Sequence, residues 1–334
     1  MRYLYVCEQG SVVGTTNGRI EVRNSGMILK SVPEQLVDAI ALYGNIQMTA
    51  QCITKCLQTG IHVIYYSMNG TYYGRLIAPN HVDVELQRMQ ANLEHQEMFR
   101  LELSKRIIAA KIQNQTVLLR KNRNNCTHEI DRTIALMKQM KKKVEATTDC
   151  NQLLGYEGIA ARLYFQELGK LVPQEFAFQR RSKRPPKDPY NALISLGYSM
   201  ITNELYGKIE SRGLNPYFGI LHKDKKKHPS LVSDLVEEWR PVLVDSVALS
   251  MIKSQELVLE DFITEEDGNG IILSKHAITR FVKKIEEKMR TTSQYLSYIN
   301  QEVSYREAMD HQIDCLVNAM ESETAEEYHP VVIR

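Results

Sequence analysis

Asn69-Gly70-Thr71-Tyr72-Tyr73-Gly74-Arg75-Leu76-Ile77-Ala78-Pro79-Asn80-His81-Val82 is the stretch across which the chain changes texture. Before Pro79 the pattern is one of short apolar runs and tight turns, and from Val82 onward it is helical. Asn69-Gly70 lies between two such runs, residues 61–66 and 71–77. An Asn-Gly pair there specifies a hairpin, because both residues tolerate the positive φ that a two-residue turn demands. Pro79 and Asn80 end the pattern and read as a linker. Working back from this point, Asn17-Gly18 between Val12-Val13 and Ile20 to Val22 predicts another hairpin. Residues 36–43 are ambiguous between helix and strand; an apolar run broken only by Asp38 and stopped by Gly44 favours a buried strand. Residues 49–59 have helical spacing and end on Gly60, a good residue for closing a helix.

Working forward, residues 82–121 carry helical periodicity with few breakers and predict one long helix or two. Further helices are expected over 129–146, 159–168, 189–212 (closed by Gly213), 242–253, 275–290 and 303–320. Residues 171–188 hold three prolines and no periodicity, and so predict a loop; Asp267-Gly268-Asn269-Gly270 predicts a turn. The expected fold class is therefore α+β. A small β-rich N-terminal domain (1–78) and a linker (79–83) precede a large all-α domain (84–321), with a loose tail (322–334).

Charge alone assigns no polyanionic partner: 42 Lys and Arg stand against 40 Asp and Glu, so a basic surface has to come from clustering. Six cysteines in 334 residues are no disulfide framework. Cys52 and Cys56 can share a helix face, but no second pair at ligand spacing completes a zinc site. The N-terminus reads as a strand rather than a signal peptide, and no apolar run approaches membrane-spanning length. A cytoplasmic protein is expected.

Three constellations carry chemistry. Phe218 to Pro241 begins with an apolar lead-in to His222 and crosses a loop holding Lys223, Lys225, Lys226 and Lys227. A helix is then expected to start at Pro229-Ser230, with Ser230 as its cap, to bury Leu231, Val232, Leu235, Val236 and Trp239, and to end near Pro241. Asp234 and Glu237 are three apart and so neighbours on one helix face. An imidazole beside such a pair suits a divalent metal, although a solvated acidic face with a loop histidine produces the same pattern. The second constellation is Glu157, set between Gly155 and Gly158 at an expected helix start. Glycines permit close backbone approach, while an acidic residue in a first turn is also simply favoured by the helix dipole. The third is Arg180, Arg181, Lys183, Arg184 and Lys187, five basic residues in eight positions kept extended by Pro185 and Pro186. Such a run suits a phosphate backbone, or is a solvated charge run. Lysines next to a candidate metal site make joint sense for a polyanionic substrate.

These residues also carry a family resemblance. Gly155-Tyr156-Glu157-Gly158-Ile159-Ala160-Ala161, the block from Arg184-Pro185-Pro186-Lys187 to Gly197-Tyr198, and Gly219-Ile220-Leu221-His222 with Ser230 to Pro241 resemble, in order, three blocks of the CRISPR-associated endonuclease Cas1 family. That family comprises integrases that insert new spacers into CRISPR arrays. The resemblance implies that Glu157, His222 and Glu237 occupy metal-ligand positions, with Asp234 close by. Some relatives have Asp where Glu237 stands, which leaves the coordination distance open. An oxygen-rich set of this kind suits Mg2+ or Mn2+. The implied chemistry is phosphoryl transfer on DNA, with a DNA 3′-hydroxyl or water as nucleophile. The resemblance further implies a homodimer formed through the first domain, two such dimers being bridged by a dimer of the small partner protein Cas2. Two other classes compete with this reading. A non-catalytic helical nucleic-acid-binding module would tolerate loss of Glu157 and His222, and a metal-dependent phosphohydrolase of small substrates would not need the extended basic loop.

Overall fold

β1 (Tyr3–Val6) opens the chain in the computed structural model, which describes all residues except 1–2, 69, 77, 79–81, 124–126, 184, 266–267, 269, 294–295, 297–298, 300 and 334, and the side chains of 127, 128 and 293. The residues fall into two compact units, 1–82 with 274–279 and 83–273 with 280–334.

In the first unit, β2 (Val12–Thr16) and β3 (Arg19–Asn24) pair antiparallel across Asn17 and Gly18, whose φ values of 49° and 73° are those the hairpin expectation required. A strand not foreseen, β4 (Met27–Pro33), folds back on β3 through a second turn with positive φ at Ser25 and Gly26. Its Met27, Ile28, Leu29 and Lys30 are all exposed, so no buried face imposes the alternation that would have marked it as a strand. β5 (Ala39–Tyr43) is buried at every position, because parallel neighbours occupy both its edges. After β6 (Gln47–Met48), α1 (Ala50–Thr59) starts where Thr49 Oγ1 accepts from the Cys52 amide and ends on Gly60 at φ 75°. β7 (His62–Tyr66) and β8 (Tyr72–Leu76) then pair antiparallel. Asn69 of the expected turn between them, and Pro79-Asn80 of the expected linker, lie outside the described residues. The strand orders are β1-β5-β7-β8 and β4-β3-β2-β6. Val13, Ile20, Ile40, Leu42, Cys52, Cys56 and Val63 belong to the apolar core of this unit.

The second unit is mostly helical, so the chain is α+β as expected. α2 (Val84–Asn92) and α3 (Glu97–Asn122) divide the long helical stretch. α3 packs against α4 (Thr127–Ala146), α5 (Cys150–Leu171) and residues 236–245. With neighbours on several sides it buries residues around most of its circumference, Lys105 and Lys111 among them. α5 begins nine residues earlier than its apolar run suggests, started by Asp149, whose Oδ1 accepts from the Asn151 amide at 2.7 Å. Glu157 therefore sits two turns inside a helix rather than at a helix start, and the first-turn dipole argument does not apply to it. A Cβ placed on Gly155 or Gly158 would meet nothing within 4 Å, so neither glycine marks a close backbone approach. α6 (Pro189–Ser211) carries Pro189 in its first turn, and Asp188 caps it by accepting from the Asn191 amide at 2.8 Å.

Ser230 is the first residue of α7 (Ser230–Leu235) and not its cap; its Oγ donates to the Lys223 carbonyl at 3.3 Å. Nor does Pro241 end the helical run. The chain tightens to a 3-10 turn over Val236–Glu238, widens to a π-helical segment over Arg240–Asp245, and continues as α8 (Ser246–Lys253). At the change from tight to wide turns the hydrogen-bond ladder is already interrupted, so the missing Pro N–H costs little there. β9 (Phe262–Thr264) and β10 (Ile271–Leu273) form a hairpin around the expected turn at 267–270, of which 267 and 269 lie outside the described residues. α9 (Lys275–Arg290), the short pair β11 (Thr292–Ser293) and β12 (Val303–Ser304), and α10 (Tyr305–Glu321) complete the elements.

The last residues are not a loose tail. Tyr328 and Val331 are fully buried, and Glu238 accepts from the Tyr328 hydroxyl at 2.6 Å and from the Val331 amide at 2.7 Å. Asn114 of α3 clasps the same segment, donating to the Val331 carbonyl and accepting from the Ile333 amide. The partners of this segment are far away in sequence, so its local polarity suggests disorder that tertiary hydrogen bonds remove.

Candidate active site

Four elements bring their charges to one place. Lys111 comes from the middle of α3, Glu157 from α5, Glu237 from the 3-10 turn after α7, and Arg240 from the start of the π-helical segment. The Lys111 ammonium donates to Glu157 Oε1 and lies 2.7 Å from Glu237 Oε2. The second interaction is ionic without the alignment of a hydrogen bond. Arg240 donates to the other Glu237 oxygen at 2.6 Å. Burial pushes the Glu237 carboxyl up, but Arg240 and Lys111 outweigh it and hold the group at about 2. Burial likewise works against the Lys111 charge, and Glu237 with Glu157 overcomes it, raising that ammonium above its ordinary value. Both carboxylates are thus bound to cations in a site where Glu157 keeps only 22% of its side-chain exposure and Glu237 only 7%.

His222 is positioned by Asp234. One oxygen of the fully buried Asp234 accepts from the Ile220 and Leu221 amides at 2.7 and 2.9 Å; the other accepts from the His222 amide at 3.2 Å and meets His222 Nδ1 at 2.5 Å. This network commits the carboxylate of Asp234 to holding the loop and the ring. With Nδ1 given to Asp234, the outer nitrogen Nε2 is left for a ligand or a proton. The Asp234 hydrogen bond raises the imidazole pKa against the opposing effect of burial. Asp234 and Glu237 therefore do not act as the paired carboxylates that their spacing suggested.

A stack of side chains joins this centre to the first basic run. The guanidinium groups of Arg240 and Arg181 lie over the Tyr198 ring at 5.0 and 5.3 Å from its centroid. Tyr198 and Tyr164 donate to opposite oxygens of the buried Asp245 at 2.6 Å each. Arg181 also donates to Asn191 Oδ1 at 2.7 Å and to Ser195 Oγ at 2.8 Å, so it braces the loop against α6 instead of reaching into solvent. Arg180, Lys183 and Lys187 are exposed, and Arg184 lies outside the described residues. Lys223, Lys225, Lys226 and Lys227 are all exposed on a short turn closed by a bridge between Lys225 and His228.

The family model for the CRISPR associated protein Cas1 matches residues 4–287. The chain belongs to the Cas1 family. It is 32% identical over 322 residues to a CRISPR-associated endonuclease Cas1 of Mycobacterium tuberculosis (strain CDC 1551 / Oshkosh), covering 96% of this chain and 95% of that one. It is 33% identical over 334 residues to one of Thermus thermophilus, covering 99% and 97%. Among solved structures, a Cas6-RT-Cas1--Cas2 complex superposes with a TM-score of 0.85 at 26% identity, over 99% of this chain and 36% of that longer one.

For this Cas1-family chain, the sequence expectation named Glu157, Glu237, His222 and Asp234. The structure brings the first two onto a shared cation and the last two onto each other. Lys111 and Arg240, which neutralise the carboxylates, were not foreseen. A lysine in a long helix looks like any solvated lysine, whereas Arg240 stands three residues after Glu237, a spacing at which ion pairs form. Among the described residues no three of His, Cys, Asp and Glu gather at metal-binding distance. The two carboxylates converging on one cation nevertheless offer the hard oxygen donors that suit Mg2+ or Mn2+.

Proposed function

We propose that this chain is a CRISPR adaptation integrase, a metal-dependent DNA endonuclease and strand-transfer enzyme that inserts spacer DNA into a CRISPR array. The observation that carries the reading is the convergence of Glu157 and Glu237 on a single cation. Membership of a family whose relatives are named endonucleases supports it. Glu157 and Glu237 would hold Mg2+ or Mn2+, with His222 Nε2 as a third donor. Such an ion supplies Lewis acidity at a phosphodiester and a more acidic attacking hydroxyl. Arg240 keeps Glu237 ionised, Asp234 fixes the His222 ring, and the Arg181–Tyr198–Arg240 stack holds the basic loop at a set distance from the carboxylates. The test is joining of a DNA 3′-hydroxyl end to repeat-containing DNA with Mn2+ present; absence of joined product overturns the reading.

DNA is the proposed substrate and surface partner, held by Arg180, Lys183, Lys187 and the lysines at 223 and 225–227. Replacing Lys223, Lys225, Lys226 and Lys227 together by Ala is expected to weaken duplex binding and to flatten the log–log salt dependence by about 0.9 for each phosphate no longer neutralised. An unchanged slope in a filter-binding titration would show that the turn does not touch the backbone. Replacing Arg181 should instead loosen the loop, because its guanidinium is already committed to Asn191 and Ser195.

The assembly proposed is a homodimer formed through residues 1–78, two dimers being bridged by a dimer of the small partner protein Cas2, in the cytoplasm. The sheet edges of the first unit support it, since unpaired edges invite pairing. So does the naming of Cas2 beside Cas1 in the complex that superposes on this chain. Light scattering at micromolar concentration in moderate salt should give a dimer mass; a monomer mass contradicts the dimer.

A further inference from the structure

The carboxylate pair is neutralised by side chains of the chain itself. Glu157 and Glu237 face the ammonium of Lys111, and Glu237 also faces Arg240, so two negative charges meet two positive ones in a poorly hydrated place. Lys111 reaches this point from a helix buried around most of its circumference, and its own side chain is only 10% exposed. Without a cation between them, two carboxylates this close would repel. A divalent ion and an ammonium both require the facing oxygens, and the site does not have the negative charge to hold both cations.

We propose that Lys111 is the resident counter-ion of the site: it occupies the place between Glu157 and Glu237 that a divalent ion takes, and it must be displaced for the ion to bind. The proposal rests on the metal reading above. It follows that Lys111 holds the two carboxylates converged on one point, and that it weakens metal binding in the absence of DNA. An arriving phosphodiester supplies the missing negative charge, so metal loading is coupled to substrate.

The test compares the full chain with Lys111→Met, which keeps length and apolar volume and removes the charge. Free Mn2+ is measured by its paramagnetic resonance, and melting is followed in EDTA and in Mn2+, all without DNA. In EDTA the variant is expected to melt about 6–10 °C lower, since breaking a buried pair leaves unpaired charge behind. Mn2+ should restore most of that loss while moving the parent by less than about 2 °C, and the variant should bind Mn2+ at least about tenfold more tightly. Adding Glu157→Gln to the variant should abolish the restoration.

Equal Mn2+ affinity in parent and variant overturns the counter-ion role and leaves the metal reading standing. A melting loss that Mn2+ does not repair also overturns it, because a purely structural lysine behaves in that way. Failure of both proteins to bind Mn2+, with or without a DNA duplex, overturns both. If Lys111→Met does not fold in EDTA, Lys111→Gln, whose neutral amide still donates a hydrogen bond, carries the same comparison.

Discussion

Replacing Glu157 by Gln is expected to cut DNA strand joining by about a hundredfold to a thousandfold, the cost of losing one preorganised electrostatic interaction in an active site. The substitution keeps the size of the side chain and removes one of the two negative charges that converge on the shared cation. Glu157 is the cleaner probe of the pair because it is partly exposed, so its amide can be hydrated. Glu237→Gln should cost as much activity and also stability, since Arg240 and Lys111 would both lose a buried partner. His222→Ala should lose activity with a near-native melting point, because Asp234 would still accept from three backbone amides. Gel-resolved joining in Mn2+, with melting curves on the same preparations, measures both effects. Joining at the parental rate by all three folded variants would remove these residues from the active site.

The largest stability effect is expected away from the site, at Arg306 of α10. Its side chain is 5% exposed and its guanidinium fully engaged: Nε and one terminal nitrogen donate to Glu204 at 2.5 and 3.1 Å, and the two terminal nitrogens donate to Glu286 at 2.9 and 2.7 Å. This fork ties α6, α9 and α10 together. Arg306→Met takes this partner from the buried Glu204 and leaves Glu286 with Arg290 as its cation, and should cost about 3–5 kcal/mol, or a melting decrease on the order of 6–15 °C. Acid should weaken the parent through the same ion pairs. Burial pushes the Glu286 carboxyl up, but Arg306 and Arg290 outweigh it and hold it below its ordinary value. A depressed folded-state pKa contributes stability that is present above the unfolded value, about 4.3, and is lost as pH falls below it. Arg306→Met removes the Arg306 share of that contribution and leaves that of Arg290, so the melting difference between parent and variant should shrink as pH falls from about 6 to about 3. A difference under about 1 kcal/mol at neutral pH, or one that grows in acid, would contradict this account.

Much of the architecture is legible locally. Asn17-Gly18 needs only its own two residues to turn the chain, and Gly60 needs only its missing Cβ to close α1. The apolar run ending at Tyr43 is continuous because β5 is buried at every position between parallel neighbours. What escapes a local reading is decided by distant partners. β4 has no buried face, the last residues are held by Glu238 and Asn114, and the run through Pro241 continues because its hydrogen-bond pattern changes there.

The site divides along the same line. Glu157, His222 and Glu237 stand in recognisable blocks, so the roles proposed for them come from the family resemblance. Their geometry does not. The spacing of Asp234 and Glu237 suggests one acidic face, yet the switch from α7 to a 3-10 turn sends Asp234 to His222 and Glu237 to Lys111. Lys111 precedes Glu157 by 46 residues and Glu237 by 126, separations at which no local pattern links an ion pair.

The central claim is tested most directly by incubating the purified chain, with the proposed partner Cas2, with a short DNA duplex bearing free 3′-hydroxyl ends and a plasmid carrying a CRISPR repeat array. The account predicts Mn2+-dependent covalent joining of the duplex at the repeat, abolished by EDTA and by Glu157→Gln. Joining that persists in EDTA, or no joined product from the parent chain in Mn2+, would contradict it.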